Sequence, residues 1–310
     1  MLASLPNPFF ILAPMYDVTD SVFRQIVADL APPDLFFTEF VNVDGLQSPG
    51  RPEIISYLDF TSKEKPIIAQ VWGLQPENFY KTALELSSLG FAGIDINMGC
   101  PAKPVVHNGA CSALINNRGL AKEIIHATKR GLGDQMSLSV KTRLGYNEID
   151  YTWHEFLLDQ DLDMLIIHGR TKKEMSKVPA NWEAIDKVRQ LRDKISPKTL
   201  IIGNGDVLSR KHGEELAEKH KLDGVMIGRG VFGDPYIFSK NSPWEELSQE
   251  QKIEIFKKHI QLFEDVWKGS KPTKLLNKFC KVYINNFSGA KEMREKLMNA
   301  KTTQELLGML

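Results

Sequence analysis

Residues 93–103 read GIDINMGCPAK, a short apolar run with strand character that stops abruptly at Gly99, Cys100 and Pro101. The chain has three cysteines, Cys100, Cys111 and Cys280, and one of them stands at the end of this run, between a glycine and a proline. What that thiol is for depends on which strand it follows. Similar runs recur on both sides: FFILAPM from residue 9, LFFTEFV from 35, PIIAQVW from 66, LSVKTRL from 138, LDMLIIHGR from 162, TLIIGNGDV from 199 and LDGVMIGRG from 222. Near-continuous apolar, β-branched runs suit strands buried on both faces, as in a parallel sheet. Between them lie segments with helical spacing, such as PENFYKTALELSSLG (76–90) and SRKHGEELAEKHK (209–221).

Eight strand–helix units within about 240 residues match the count and size of a (β/α)8 TIM barrel, whereas an open doubly wound sheet usually has fewer strands. After GDPYIF the pattern changes to long helical periodicity, clearest from Glu250 to Trp267, with no further strand candidates. The expected architecture is therefore α/β: a barrel over residues 1–242, then a small all-helical domain over 243–310, with the boundary near Asn241–Pro243.

Composition limits the function less than patterning does. At 310 residues and 35.1 kDa, with 42% hydrophobic and 25% charged residues, the chain can bury a large core and has the balance of a soluble protein. Lys+Arg and Asp+Glu both total 39, so net charge points to no partner. Between Lys268 and Lys301, however, nine basic residues face only Glu292 and Glu295. An odd, sparse cysteine count without a CxxC pair argues against a disulfide framework or a zinc site. No Lys or Arg precedes Arg24 and the first apolar run is short, so neither a signal peptide nor a membrane span is expected and the location expected is cytoplasmic.

In the barrel reading Cys100 follows the fourth strand, on the C-terminal face where such enzymes carry their chemistry. Other strands end in polar or reactive residues as well: Met15 and Tyr16 on the first, Gln70 on the third, Asn97 on the fourth, Lys141 and Arg143 on the fifth. His168 and Arg170 end the sixth, Asn204 and Asp206 the seventh, Gly228 and Arg229 the eighth. A lone strand-end histidine is usually a satisfied core residue and a lone lysine usually snorkels to solvent; polar endings on seven of the eight strands point to a site.

Glycine-rich loops follow the seventh and eighth strands, where these barrels commonly grip phosphate. Gly228, Gly230 and Gly233 also fit G-x-G-x-x-G, but that dinucleotide motif belongs after the first strand of a βαβ unit, so a phosphate cradle is the better reading. A phosphate site, the Gln70 amide and the fixed cation of Lys141 together suit flavin mononucleotide, which brings its own hydride chemistry. Cys100 would lie over the flavin as a general acid, since an ordinary thiol, with a pKa of about 8.5, is protonated at neutral pH. Cys280 reads as a small buried hydrophobe, and Cys111 leans to the same structural role.

The fragments APM.DVTDSVFR, TEF, NMGCPAK, SVKTRLG, HGRT, GNGDV and IGRG..G.P.IF, in that order along the barrel, together resemble the tRNA-dihydrouridine synthase family. The resemblance implies an FMN-binding barrel with a helical tRNA-binding domain. It also implies reduction of the 5,6 double bond of particular tRNA uridines, with NADPH as electron donor. Hydride would pass from flavin N5 to uracil C6, and Cys100 would give the proton to C5. By the same resemblance Pro14, Met15 and Tyr16 line the flavin, and Gln70, Lys141 and His168 contact its ring and ribityl region. Asn204, Gly205, Asp206, Gly228 and Arg229 hold the phosphate end, and Asn97 and Arg143 contact the uracil. Two stretches depart from the family pattern: the loop VVHNGACSALI has Cys111 where a small residue is usual, and HGRTKKEMSKVPANW is unusually charged.

The basic tail fits independently. A uracil in folded tRNA reaches a pocket only when its nucleotide is flipped out, and Lys271, Lys274, Lys278 and Lys281, spaced by three or four residues, are expected on one helix face to grip phosphates meanwhile. The alternative is an ordinary solvated basic face. The partner expected is tRNA, with neither DNA nor a membrane, and the chain is expected to be a monomer without bound metal. A flavin barrel for free pyrimidines, like dihydroorotate dehydrogenase, is the nearest enzymatic rival, but needs no basic helical appendage. An RNA-binding module that has lost its chemistry is the other, and the joint presence of Cys100, Lys141 and His168 speaks against it.

Overall fold

The structure, a computed structural model, describes residues 2–133 and 136–310. Its strands are β1 (Phe9–Leu12), β2 (Phe36–Phe37), β3 (Val41–Asn42), β4 (Ile67–Trp72), β5 (Gly93–Met98), β6 (Ser137–Arg143), β7 (Met164–His168), β8 (Leu200–Asn204) and β9 (Gly224–Ile227). Every pairing is parallel, in the order β1-β9-β8-β7-β6-β5-β4-β2. A parallel bridge between Ile11 and Leu35 brings the first strand back to the segment before β2 and closes the barrel. Helices cover the outside, among them Pro76–Leu86 and Arg210–His220, close to the ranges that spacing predicts.

One expected strand is interrupted. The run from residue 35 forms two short pieces, β2 and β3, both paired with β4. Thr38 and Glu39, between them, use their side chains: the Thr38 hydroxyl accepts the backbone N–H of Gln70 at 3.0 Å, and the Glu39 carboxylate accepts the backbone N–H of Asp17 at 2.6 Å. These side-chain bonds compete with a continuous ladder, so eight strand positions are built from nine pieces.

Alternation along the strands sorts the apolar residues into two cores. Phe9, Ile11, Ile68, Met164, Ile166, Ile202 and Met226 form an inner plug. Their neighbours, such as Phe10, Leu12, Leu165 and Val225, belong to the larger layer between sheet and helices. That outer layer runs on into the tail, where Phe256, Ile260, Phe263 and Leu276 are buried in the same cluster.

The tail is helical throughout its regular structure: Gln249–Trp267, a 3-10 turn Thr273–Leu276, then Asn277–Tyr283, Ala290–Leu297 and Thr303–Gly308. It docks on the first barrel helix, Ser21–Leu30. Phe23 meets Phe279 with ring centroids 4.8 Å apart. The N-cap residue Asp20 uses one carboxylate oxygen to cap Phe23 N and the other to accept the Trp267 indole N–H at 3.1 Å. Among the described residues, no helix is long and apolar enough to cross a membrane.

Beneath this contact Arg24 and Glu64 form a fully buried ion pair at 2.7 Å, and Arg24 also donates to the carbonyls of Thr19 and Asp59. Removing one member strands the other charge in a dry site. Glu64→Ala is therefore expected to lower unfolding free energy by about 3–5 kcal/mol, measured by chemical denaturation; a loss below about 1 kcal/mol, the scale of an exposed pair, would contradict the buried-pair account.

Candidate active site

Parallel register aligns the inward residues of neighbouring strands into rungs. Gln70 pairs with Asp95 and Asp95 with Ser139; one layer higher Asn97 pairs with Lys141; at the rim Arg143 pairs with His168 and His168 with Asn204. The inner plug thus ends in a polar layer at the C-terminal mouth. Gln70 donates to Asp95 at 2.7 Å, Ser139 donates to its other oxygen at 2.6 Å, and Asn97 donates to the Gln70 carbonyl at 3.1 Å. Burial pushes the Asp95 carboxyl up to about 7, opposed by the bonds from Ser139 and Gln70 and by the charge of Lys141.

Lys141 rises from the centre of this layer and donates to Asn204 Oδ1 at 3.2 Å, while Asn204 is anchored on the Met226 carbonyl. Burial and the nearby Arg143 bring its ammonium down to about 8, with Asp95 and Cys100 acting the other way. Arg143 is fixed by the carbonyls of Gly99, Thr171 and Met175. Burial, then the charges of Arg143, Lys141, Arg170 and Arg229, hold His168 far below the usual imidazole range, so its ring is neutral.

Pro14, Met15, Lys141, Arg143, His168, Asn204, Gly205, Asp206, Gly228 and Arg229 together line one cavity of about 570 Å³ at the mouth, within the roughly 300–1,000 Å³ typical of cofactor sites. Its far end is strongly basic. Asp206 accepts from Arg170, from Arg229 at 3.1 Å and from Ala180 N at 2.9 Å. Although burial raises it, these partners hold its carboxyl below the usual range. Asp206 therefore orients two guanidiniums instead of meeting an anion itself. Gly205 has φ +138°, and a Cβ there would stand 2.6 Å from that of Ala180, so only glycine makes this turn. Gly228 opens a 3-10 turn, Arg229–Phe232, whose first internal bond comes from Val231 N; the Arg229 and Gly230 N–H groups ahead of it have no partner within the turn.

Four expected residues lie outside that lining. Gln70 is fully buried with both ends of its amide engaged inside the barrel. Asn97 folds its carbonyl oxygen over the chain to accept the N–H groups of Gly99 and Cys100, which fixes where Cys100 sits. Tyr16 is half exposed and shares a hydroxyl contact of 2.9 Å with Tyr57. Cys100, partly exposed at the strand end, lies beside the cavity, close to Arg143 and Lys141. Its sulfur differs from the ordinary thiol expected. The Cys111 thiol, the Ala102 N–H, Arg143 and Lys141 bring it down to about 6 against the opposing effect of burial.

The four tail lysines do not share one helix face. Lys271 precedes the 3-10 turn, Lys274 lies within it, and only Lys278 and Lys281 are on the helix Asn277–Tyr283. Lys271 is turned inward, 3.7 Å from Asp20, 3.9 Å from Glu39 and 3.8 Å above the Trp267 ring, and Lys278 donates to the Asp17 carbonyl. Lys274 and Lys281 are exposed. Lys278, Lys281, Lys291 and Arg294 line an open cleft of about 960 Å³ that reaches Phe232 and Gly233 in the loop after β9, so the basic tail borders the barrel mouth. Sequence reasoning missed Asp95, Ser139 and Glu39, though inward spacing of two from Asn97 and Lys141 would have found the first two.

A closed parallel barrel with its reactive groups gathered at the C-terminal mouth defines a TIM-barrel enzyme. A family model described as Dihydrouridine synthase (Dus) matches residues 11–310. A relative named Probable tRNA-dihydrouridine synthase, from Staphylococcus aureus (strain COL), is 46% identical over 99% of this chain and 94% of its own length. One named Probable tRNA-dihydrouridine synthase 2, from Bacillus subtilis (strain 168), is 45% identical over the same shares. Among solved structures, a 2-naphthoyl-CoA reductase superposes with TM-score 0.59 at 11% identity, covering 76% of this chain and 49% of that one. A morphinone reductase superposes with TM-score 0.53 at 13% identity, covering 79% and 91%. The chain belongs to the dihydrouridine synthase family and is an oxidoreductase.

The inward turn of Lys271 gives a pH-dependent prediction. Burial, followed by the opposing charge of Lys271, sets the Glu39 carboxyl at about 7 against an ordinary 4.5. An acid raised on folding adds stability below its unfolded pKa and loses it as pH rises through the folded value. Lys271→Met removes the opposing cation and raises Glu39 further, so the variant should lose about 1–3 kcal/mol at about pH 8 and less at about pH 5. Thermal unfolding at both pH values measures this, and an equal deficit at the two would contradict it.

Proposed function

We propose that this protein is an FMN-dependent tRNA-dihydrouridine synthase that uses NADPH to reduce the C5=C6 bond of particular tRNA uridines. The observation that carries this reading is the joining, in one cavity, of a buried cation, a neutral histidine and a basic, glycine-lined end. A flavin mononucleotide matches this sequence of environments. Its phosphate would meet Arg229 and the N–H groups of Arg229 and Gly230, which have no partner within their turn. Its ring would lie toward Lys141, with Pro14 and Met15 as apolar wall. Bound there, the flavin supplies the hydride for uracil C6.

The remaining work falls to the chain. Lys141 holds a fixed positive charge at the barrel axis, and neutral His168 offers a hydrogen bond without adding to the crowd of cations. Arg143, pinned on three carbonyls, can direct its remaining N–H groups to a uracil oxygen, and Asn97 sets the backbone of the Cys100 loop. Cys100 in its protonated form would give its proton to C5: the S–H bond breaks, a C–H bond forms, and the thiolate left behind, the form its surroundings favour, faces Arg143 and Lys141. The exposed Lys274 and Lys281 provide phosphate contacts for the RNA, whereas Lys271 and Lys278 hold the tail to the barrel. We place the division between barrel and tail at residues 242 and 243.

The test is nucleoside mass spectrometry on tRNA lacking dihydrouridine, incubated with protein, FMN and NADPH. Wild type should add two daltons to uridine and Cys100→Ala should lose at least about 100-fold in rate, the contribution of a positioned general acid. A tRNA-binding protein with no mass gain would contradict the proposal.

A further inference from the structure

Tyr16 directly follows the cavity-lining Met15 but stays outside the cavity, half exposed. Its backbone is pinned on either side. The Met15 N–H donates to the Thr19 hydroxyl at 2.8 Å, and the Met15 carbonyl accepts the N–H groups of Val18 and Thr19, each at 3.0 Å. Asp17, in the left-handed region at φ +57°, is gripped at both ends: Glu39 accepts its N–H at 2.6 Å and Lys278 donates to its carbonyl. The side chain is held as well. Its hydroxyl lies 2.9 Å from that of Tyr57, and its ring centroid is 5.5 Å from that of Tyr57 and 5.6 Å from that of Phe40, both partly buried. A surface tyrosine usually lays its ring on the protein and turns its hydroxyl to water. Here the hydroxyl is engaged and half of the residue is still open to solvent.

We propose that Tyr16, backed by Phe40 and Tyr57, is a stacking platform for an unpaired base of the tRNA, the one next to the uridine held in the cavity. The proposal rests on the reading of the substrate as tRNA. Flipping a nucleotide into the cavity strips its neighbours of a stacking partner, and an aromatic face returns that stacking whichever base is present. The position suits a continuous strand. Met15, on one side of Tyr16, lines the cavity; on the other, Lys271 of the tail stands 5.3 Å from the centre of the Tyr57 ring, and the exposed Lys274 follows it three residues later. An RNA strand gripped by Lys274 and entering the cavity therefore has the aromatic ledge between its two anchors. Because the ring is fixed before the RNA arrives, little ordering entropy is lost when a base settles on it. The platform is uncharged, so it adds affinity without neutralising a phosphate.

The test separates stacking from charge. The FMN-loaded, full-length protein is titrated with tRNA lacking dihydrouridine at several salt concentrations, with flavin content and thermal unfolding followed in parallel. Tyr16→Ala should weaken binding about 5- to 150-fold, the loss of one base–aromatic stack, and leave the salt dependence of the affinity as in wild type. Tyr16→Phe keeps the ring and gives up only the contact with Tyr57, so it should stay within about threefold of wild type. Lys274→Ala is the contrast: a lost phosphate contact lowers the salt slope by about 1. An unchanged affinity in Tyr16→Ala would overturn the proposal. Equal losses in Tyr16→Ala and Tyr16→Phe would do so too, by assigning the effect to the hydroxyl, and loss of FMN from Tyr16→Ala would make Tyr16 a flavin contact instead. Wild-type protein that binds no tRNA sinks the substrate reading and the platform with it. Wild-type protein that binds and reduces tRNA, beside an indifferent Tyr16→Ala, sinks the platform alone.

Discussion

Lys141 is the group around which the rest of the site is arranged. An ammonium at the axis of a barrel is held only if its neighbours repay its lost hydration, and the strand register supplies those neighbours. Asp95 stands one inward position lower on β5, tied by Gln70 and Ser139, and Asn204 accepts from the other side. The Lys141 charge adds to that of its neighbours: burial, then Arg143 and Lys141, keep His168 neutral, and Lys141 is the least of the effects that draw Cys100 toward its anion. A one-residue slip between β5 and β6 would turn Ser139, Lys141 and Arg143 outward together, so parallel register protects the chemistry as well as the fold.

The helical tail is bound to the same framework from outside. Asp20 begins the first barrel helix and holds the tail's Trp267, while Lys271 reaches back to Asp20 and Glu39. Glu39 in turn accepts from Asp17, in the loop that leads from β1 past the cavity. The tail is thus coupled to the rim of the mouth through buried charges. The exposed Lys281 and Lys291 line the cleft that reaches the loop after β9.

Much of this architecture was legible in the sequence because it depends on patterns a linear chain displays. Eight apolar runs and the helical stretches between them follow from periodicity, and the polar residues that end seven of the eight runs are read directly from the chain. The gathering of Lys141, His168, Asn204 and Arg229 around one cavity follows once the strands are known to close. What stayed hidden depends on which partner a side chain finds across the fold. Spacing put four lysines on one helix face, but two of them find carboxylates or a carbonyl of the barrel. Gln70 is expected at a strand end, yet it lies inside β4 and its amide is consumed by Asp95 and Asn97. The break at Thr38 and Glu39 coincides with side-chain bonds to Gln70 and Asp17, and the return of the chain that lays Ser112 against the Cys100 carbonyl passes through left-handed residues that no periodicity announces.

The claim on which the account depends is that the polar mouth of this barrel holds a flavin mononucleotide. The direct measurement is to heat-denature the purified protein and identify and quantify any released flavin by chromatography. About one FMN per chain is predicted, with loss of most of it in Lys141→Ala. Release of no flavin by protein reconstituted with excess FMN, or retention of full occupancy without Lys141, would contradict the account.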